Sequence, residues 1–95
     1  MTGIDLITKE RERQLEQEGW TVDHDQQHKK GELAKAAACY AAPLVTRKAW
    51  DLLSRIWPWD MKWWKPTPDD RIKELVKAGA LIAAEIDRLQ VGGKR

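Results

Sequence analysis

From Ile72 to Leu89 the apolar residues fall in steps of three and four: Ile72, Leu75, Val76, Gly79, Ile82, Ala83, Ile86 and Leu89. That is the period of an α-helix, and it is incompatible with the two-residue alternation of a strand. Start signals precede it. Thr67 is the expected N-cap, Pro68 takes the first helical position, where its missing N–H costs nothing, and Asp69 and Asp70 sit at the positive end of the helix dipole. Gly92 and Gly93 release the chain into a basic, frayed tail over 91–95. With so long a helix fixed in a chain of 95 residues, the other segments must build the rest of the core around it.

They carry the same period. A first helix is expected over 4–18, with Ile4, Ile7 and Leu15 along one face and Gly19 as a left-handed stop. Arg11 lies four positions from both Ile7 and Leu15, so it shares the apolar face, and Gln14 lies beside it, seven after Ile7. Polar groups on such a face need partners. A salt bridge from Arg11 to a neighbouring helix meets that need, and so does contact with a ligand. Residues 20–30 read as a polar connection. Gly31 opens a second helix over 32–42, with Leu33, Ala36, Ala37, Tyr40 and Ala41 on one face, and Pro43 ends it. A third helix is expected over 46–56, with Thr46 as N-cap and Ala49, Trp50, Leu52, Leu53 and Ile56 inward.

Residues 31–42 and 73–84 match at seven of twelve positions. Alanine-rich helices resemble one another by composition, so duplication does not follow. Both helices carry small residues on their contact faces, which lets them approach closely, and they are expected to form the central pair with Gly79 against an alanine ridge. The fold class expected is all-α. It is a single domain over 1–95, a compact bundle of about four helices with a tryptophan-rich, proline-braced loop, 57–66, before the C-terminal helix. A chain this short buries only about 60–70% of its unfolded surface. Pairing through small-residue faces would enlarge the core, so a homo-oligomer with a pocket at the subunit boundary is expected.

Charge excludes some partners. Seventeen Lys and Arg against fifteen Asp and Glu leave a net +2, and the only local excesses are Lys29-Lys30 and Lys94-Arg95. No one-signed field points to nucleic acid or to a membrane surface. No segment has the pattern of an export signal or a membrane span, so a cytosolic protein is expected. Cys39 is the sole cysteine, set among alanines, and reads as a small buried hydrophobe.

The residue types of common catalytic sites are present without their spacing. Compact all-α nucleotide pyrophosphohydrolases hold magnesium on a Glu-Glu-x-x-Glu run and a Glu-x-x-Asp run. Here Glu32 is followed three on by Lys35, and Glu85 by Arg88. Pairs such as Glu32 with Lys35 and Glu74 with Lys77 read as an exposed, charge-balanced face. There is no glycine-rich phosphate loop and no Ser/His/Asp or Cys/His set. His24 and His28, four apart, would share a helix face and offer two metal ligands, with Asp23, Asp25 or Glu32 needed to complete a site. A solvated turn, or hydrogen bonds from His24, Asp25 and His28 to a polar ligand, are the other readings. No enzyme, cofactor or metal is expected.

Six tryptophans, one tyrosine and no phenylalanine make up the aromatic set. Four of the six lie in Trp57-Pro58-Trp59-Asp60 and Trp63-Trp64-Lys65-Pro66. Prolines 58, 66 and 68 argue against a continuous helix there. One reading is a structural plug, with Trp57 and Trp59 closing the bundle end. A core would not interleave Asp60, Lys62 and Lys65 with its rings, however. Indole faces beside cations suit a nucleobase and its phosphate, and they equally suit a protein interface.

The strings Glu10-Arg-Glu-Arg-Gln14, Glu18-Gly-Trp-Thr21, His24-Asp25 with His28, Gly31-Glu-Leu33, Trp57-Pro-Trp-Asp60, Trp63-Trp-Lys-Pro66 and Leu75 to Leu89 resemble a family of small accessory proteins encoded by tailed bacteriophages and prophages. The resemblance spans nearly the whole chain. It implies an accessory protein rather than a virion component, acting in the host cell cytoplasm, and it transfers no functional residues. A shorter stretch, from Arg13 through Gly19-Trp20 to Asp25 and His28, resembles the RyR-type repeat, which implies a small-ligand-binding module. The Tyr-Gly after the tryptophan and the proline-rich continuation of that repeat are missing here.

The function expected is counter-defence: sequestration, without catalysis, of a nucleotide-derived immune signal of the host. Trp59, Trp63 and Trp64 would stack on it, with Trp20 nearby. Arg11, Lys65 and Arg71 would take phosphate, and Gln14, His24, Asp25 and His28 would take ribose or base edges. The alternative is an inhibitor that wedges the same loop into a host defence protein.

Overall fold

The computed structural model describes residues 1–43 and 53–92. The expected helix over 46–56 therefore lies mostly outside the described residues, with Thr46, Ala49, Trp50 and Leu52 among those not described. Four α-helices are described: α1 (Gly3–Gln17), α2 (Val22–Asp25), α3 (Glu32–Ala41) and α4 (Arg71–Gly92), with a 3-10 turn at Met61–Trp63. No strand occurs among the described residues, and the fold is all-α. No described helix is long and apolar enough to cross a membrane.

Helix α1 begins with reciprocal capping. The Thr2 hydroxyl accepts from the Asp5 N–H (3.2 Å) and the Asp5 carboxylate accepts from the Thr2 N–H (3.0 Å), which satisfies two otherwise unpaired donors. Gly19, at φ +69°, turns the chain so that the Trp20 N–H donates back to the Gln14 carbonyl. The buried face of α1 is not its apolar one. Ile4 is 78% exposed and Leu15 is exposed too, whereas Arg11 and Gln14 are buried. The cause is a two-part docking. Ile7 sits in the notch left by the missing side chain of Gly79, and Arg11 reaches across to other elements.

The polar connection expected over 20–30 contains a helical turn, α2. Thr21 begins it, its hydroxyl accepting from the His24 N–H at 3.2 Å. Gly31, at φ +81°, then starts α3, a left-handed position that favours glycine.

Among the described helices, α3 and α4 make the most extensive contact. Leu33, Ala36, Ala37 and Tyr40 of α3 join Ala78, Leu81 and Ala84 of α4, together with Cys39, Leu53 and Trp57, in one buried cluster. Small side chains on both helices permit that approach. The central pair is as expected, but Gly79 faces Ile7 of α1 and not an alanine ridge.

Two expectations for α4 are corrected. Its first residue is Arg71, not Pro68. Asp70 caps it by accepting from the Lys73 N–H (3.1 Å), and the Thr67 N–H is taken by the Glu74 carboxylate (2.8 Å), which leaves 67–70 as a separate turn. The face that turns inward is also different. Glu74, Ala78, Ala80, Leu81, Ala84 and Arg88 are buried, while Ile72, Leu75, Ile82, Ile86 and Leu89 remain exposed. Glu74, at 1% exposure, is no part of a solvated charge-balanced face. It pairs with Arg71 at 3.1 Å.

An aromatic cavity between α2, α4 and the tryptophan segment

Residues 57–66 are non-helical apart from the 3-10 turn, as the prolines require. Trp57 is the anchor: it is buried in the core cluster, and its indole N–H donates to the Asp60 carbonyl at 3.2 Å. The carboxylate of Asp60 caps the 3-10 turn by accepting from the Lys62 N–H at 3.0 Å. Lys62 places its ammonium over the Trp63 ring, 5.4 Å from the centroid. The Lys65 N–H donates to the Tyr40 hydroxyl at 3.1 Å. Asp60 therefore has a local structural cause; Trp59 and Trp64 pack against the core beside Trp57, and Trp63 is exposed.

On the solvent side lies a cavity of about 590 Å³, within the range of small-molecule sites. One wall is Trp57, Trp59, Asp60, Trp63 and Lys65. Trp20 and the α2 turn, with His24, Asp25 and His28, also line it. Leu33 and Tyr40 of α3, Lys77 and Leu81 of α4, and Arg13 and Glu18 complete the lining. The rings form a ladder: His24 to His28 at 5.7 Å between centroids, then His28 to Trp59 at 5.3 Å, then Trp59 to Trp57 at 5.5 Å. All three contacts are edge-to-face, the geometry that aromatic quadrupoles favour.

Hydrogen bonds and charges hold the ladder. Asp25 is buried and receives the Arg11 guanidinium at 3.5 Å, with the His24 ring nitrogen 3.4 Å from its other oxygen. His28 lies 3.8 Å from Glu32. At the α1 side, Arg13 forms a bidentate pair with Glu10, both contacts at 2.9 Å. That donation holds the Glu10 carboxyl below its ordinary value and the guanidinium above its own. Lys77 has no carboxylate partner within ion-pair distance among the described residues. Its ammonium stands over the Tyr40 ring, 4.9 Å from the centroid. Burial pushes the Lys77 pKa down, against the pull of Glu10 and Glu18. A half-buried cation at the edge of an aromatic cavity is a ready receptor for an anionic group.

Of the residues named from sequence, the structure brings Trp20, His24, Asp25, His28, Trp59, Trp63 and Lys65 to this one cavity. It does not bring Arg11, Gln14, Trp64 or Arg71 there. Arg11 donates to the Trp20 carbonyl (3.1 Å) and pairs with Asp25 and Asp87, which is the salt-bridge reading of that residue. Gln14 is fully buried and donates to Glu10 at 3.1 Å. Trp64 packs on Tyr40 and Trp57, at 4.7 and 5.0 Å between centroids, so neighbouring rings occupy the surface it would offer. Arg71 donates to the last carbonyls of α3, Tyr40 (2.8 Å) and Ala41. Sequence reasoning missed Arg13, Tyr40 and Lys77. A signal for Lys77 existed: it lies between Glu74 and Leu81, at three- and four-residue steps on the ridge that turns inward.

Among the described residues, no three His, Cys, Asp or Glu side chains come together as a metal site. Set beside protein-family models, curated proteins and solved structures, the chain matches none of them.

Proposed function

We propose that this chain is a binding protein without catalysis that takes up a nucleotide-derived signalling molecule, and that it acts for a phage in the host cytoplasm by withholding that signal from an immune pathway. The observation that carries this reading is the cavity in which Trp20, His28 and Trp59 meet Lys65 and Lys77. Apolar rings suit a base, and lining cations suit phosphate. The domain in this reading is a bundle of about four helices, with the proline-braced 57–66 segment closing the cavity. Isothermal titration against cyclic nucleotides and ADP-ribose derivatives tests it. One phosphate-bearing compound is expected to bind at one per chain, and Trp59→Ala to weaken it by about 10- to 100-fold, the worth of a base–aromatic stack. A folded protein that gives no heat with any of them sinks the reading.

A second reading rests on Trp63, which is 58% exposed beside the cavity and backed by Lys62. In that reading the ring is a hot spot for a host defence protein. A stoichiometric partner in a pull-down that is lost on Trp63→Ala supports it, and an empty eluate counts against it.

A further inference from the structure

The outer side of α4 carries an exposed aliphatic seam. Ile72, Leu75, Ile82, Ile86 and Leu89 range from 45% (Leu89) to 66% (Ile72) exposed. With Gly79 they occupy alternating steps of three and four, the a and d positions of a heptad, and that narrow stripe is the contact line of paired helices. Gly79 does not leave a hole in it. Ile7 of α1 fills the notch, its Cδ1 2.5 Å from where a Cβ on residue 79 would stand. Exposed Ile4 follows one turn away on α1.

We infer that a second copy of this chain covers the seam, the two α4 stripes packing face to face across a two-fold axis. Area is the first reason. The five half-exposed aliphatic side chains leave roughly 500 Å² per chain, so pairing removes about 1,000 Å², the area a specific interface has to reach. The second reason is charge. No charged residue interrupts the stripe, and α4 mixes acids (Glu85, Asp87) with bases (Arg71, Lys73) around it. A helix built to lie on anionic lipid is instead rich in Lys and Arg on its polar face. Third, a two-fold interface uses one patch twice, and a stripe of like aliphatic side chains meets that demand with no second surface. The small-residue faces, in contrast, are consumed inside the chain by the α3–α4 contact.

Sedimentation velocity of the full chain across the micromolar range tests this. The expected species has twice the chain mass of 11.0 kDa. Ile82→Glu with Ile86→Glu places two carboxylates per chain in the seam and is expected to raise the dimer dissociation constant at least about 100-fold. Both positions are exposed in the single chain, so far-UV circular dichroism is expected to stay unchanged. Ile72→Lys, at the end of the stripe, provides a second variant should that pair fail to fold. A wild-type chain that stays monomeric overturns the inference, as does a dimer that survives the substitutions. A monomer that floats with phosphatidylcholine–phosphatidylglycerol vesicles also overturns it, in favour of a lipid surface.

Discussion

Single atoms decide how α1 and Lys77 sit. A methyl group at residue 79 would stand 2.5 and 2.8 Å from Cδ1 and Cγ1 of Ile7, so Ile7 must move to admit it. Displacing a packed side chain costs about 1–3 kcal/mol, against a gain of about 1 kcal/mol from replacing a mid-helix glycine by alanine. Gly79→Ala is therefore expected to destabilise the protein on its own. With Ile7→Ala already in place it is expected to stabilise by about 1 kcal/mol. Urea unfolding of the four-member cycle checks this, and a stabilising Gly79→Ala in the wild-type background would show that Ile7 moves at no cost. Lys77 poses a different test. Burial lowers its folded pKa below the ordinary 10.5. Below that lowered value both states are protonated, and the folded state bears the full burial cost. Between the lowered value and 10.5 the unfolded chain binds more protons, so this group makes stability rise with pH. Lys77→Met keeps the stem and removes the charge. Its advantage over wild type in denaturant midpoint is expected to shrink as pH approaches 10.5, and a constant gap would contradict the assignment.

At the level of elements, the helical period was readable and its orientation was not. Ile72, Leu75, Ile82, Ile86 and Leu89 announce a helix, yet the same helix buries Ala78, Leu81 and Ala84. Periodicity finds an apolar stripe, but the distance to the neighbouring helix selects which stripe turns inward, and small residues win where α3 comes close. The start of α4 was missed for a related reason. Thr67 and Asp70 both have capping chemistry, and the choice is made by Glu74, seven residues on, which takes the Thr67 N–H. By residue type, Arg71 is a candidate phosphate ligand. Only the fold shows that it clamps α4 to the C-terminus of α3, where cationic donors suit the free carbonyls. Its removal would take the Arg71 guanidinium away from buried Glu74 and from two α3 carbonyls. Arg71→Ala is expected to cost about 2–4 kcal/mol, read in thermal or denaturant unfolding. Because Arg71 does not line the cavity, ligand affinity measured on the folded fraction is expected to change by less than about threefold. A large loss of affinity with unchanged stability would reverse that assignment.

Across the whole molecule, the cavity and the seam occupy different sides of one helix. Lys77 and Leu81 face the cavity, while Ile82, Ile86 and Leu89 face outward. Residue chemistry was enough to pick Trp20, His28 and Trp59 as functional candidates. Their convergence was not readable, because it depends on the α2 turn meeting the 57–66 segment, His28 against Trp59, and no local pattern encodes a contact between residues so far apart in sequence. Lys77 and the rings line the cavity from one chain, on a side of α4 away from the seam. The separation has a measurable consequence. If each chain holds a complete site, the Ile82→Glu/Ile86→Glu variant is expected to bind one ligand per chain with affinity within about twofold of wild type, although its assembly has changed. Ligand at one hundred times its dissociation constant is then expected to stabilise wild type and variant alike, by about 2.7 kcal/mol. Titration calorimetry and ligand-dependent thermal shift on the two proteins read this directly. A variant that folds but binds at least tenfold more weakly would mean that the partner copy shapes the cavity after all, through α4 itself.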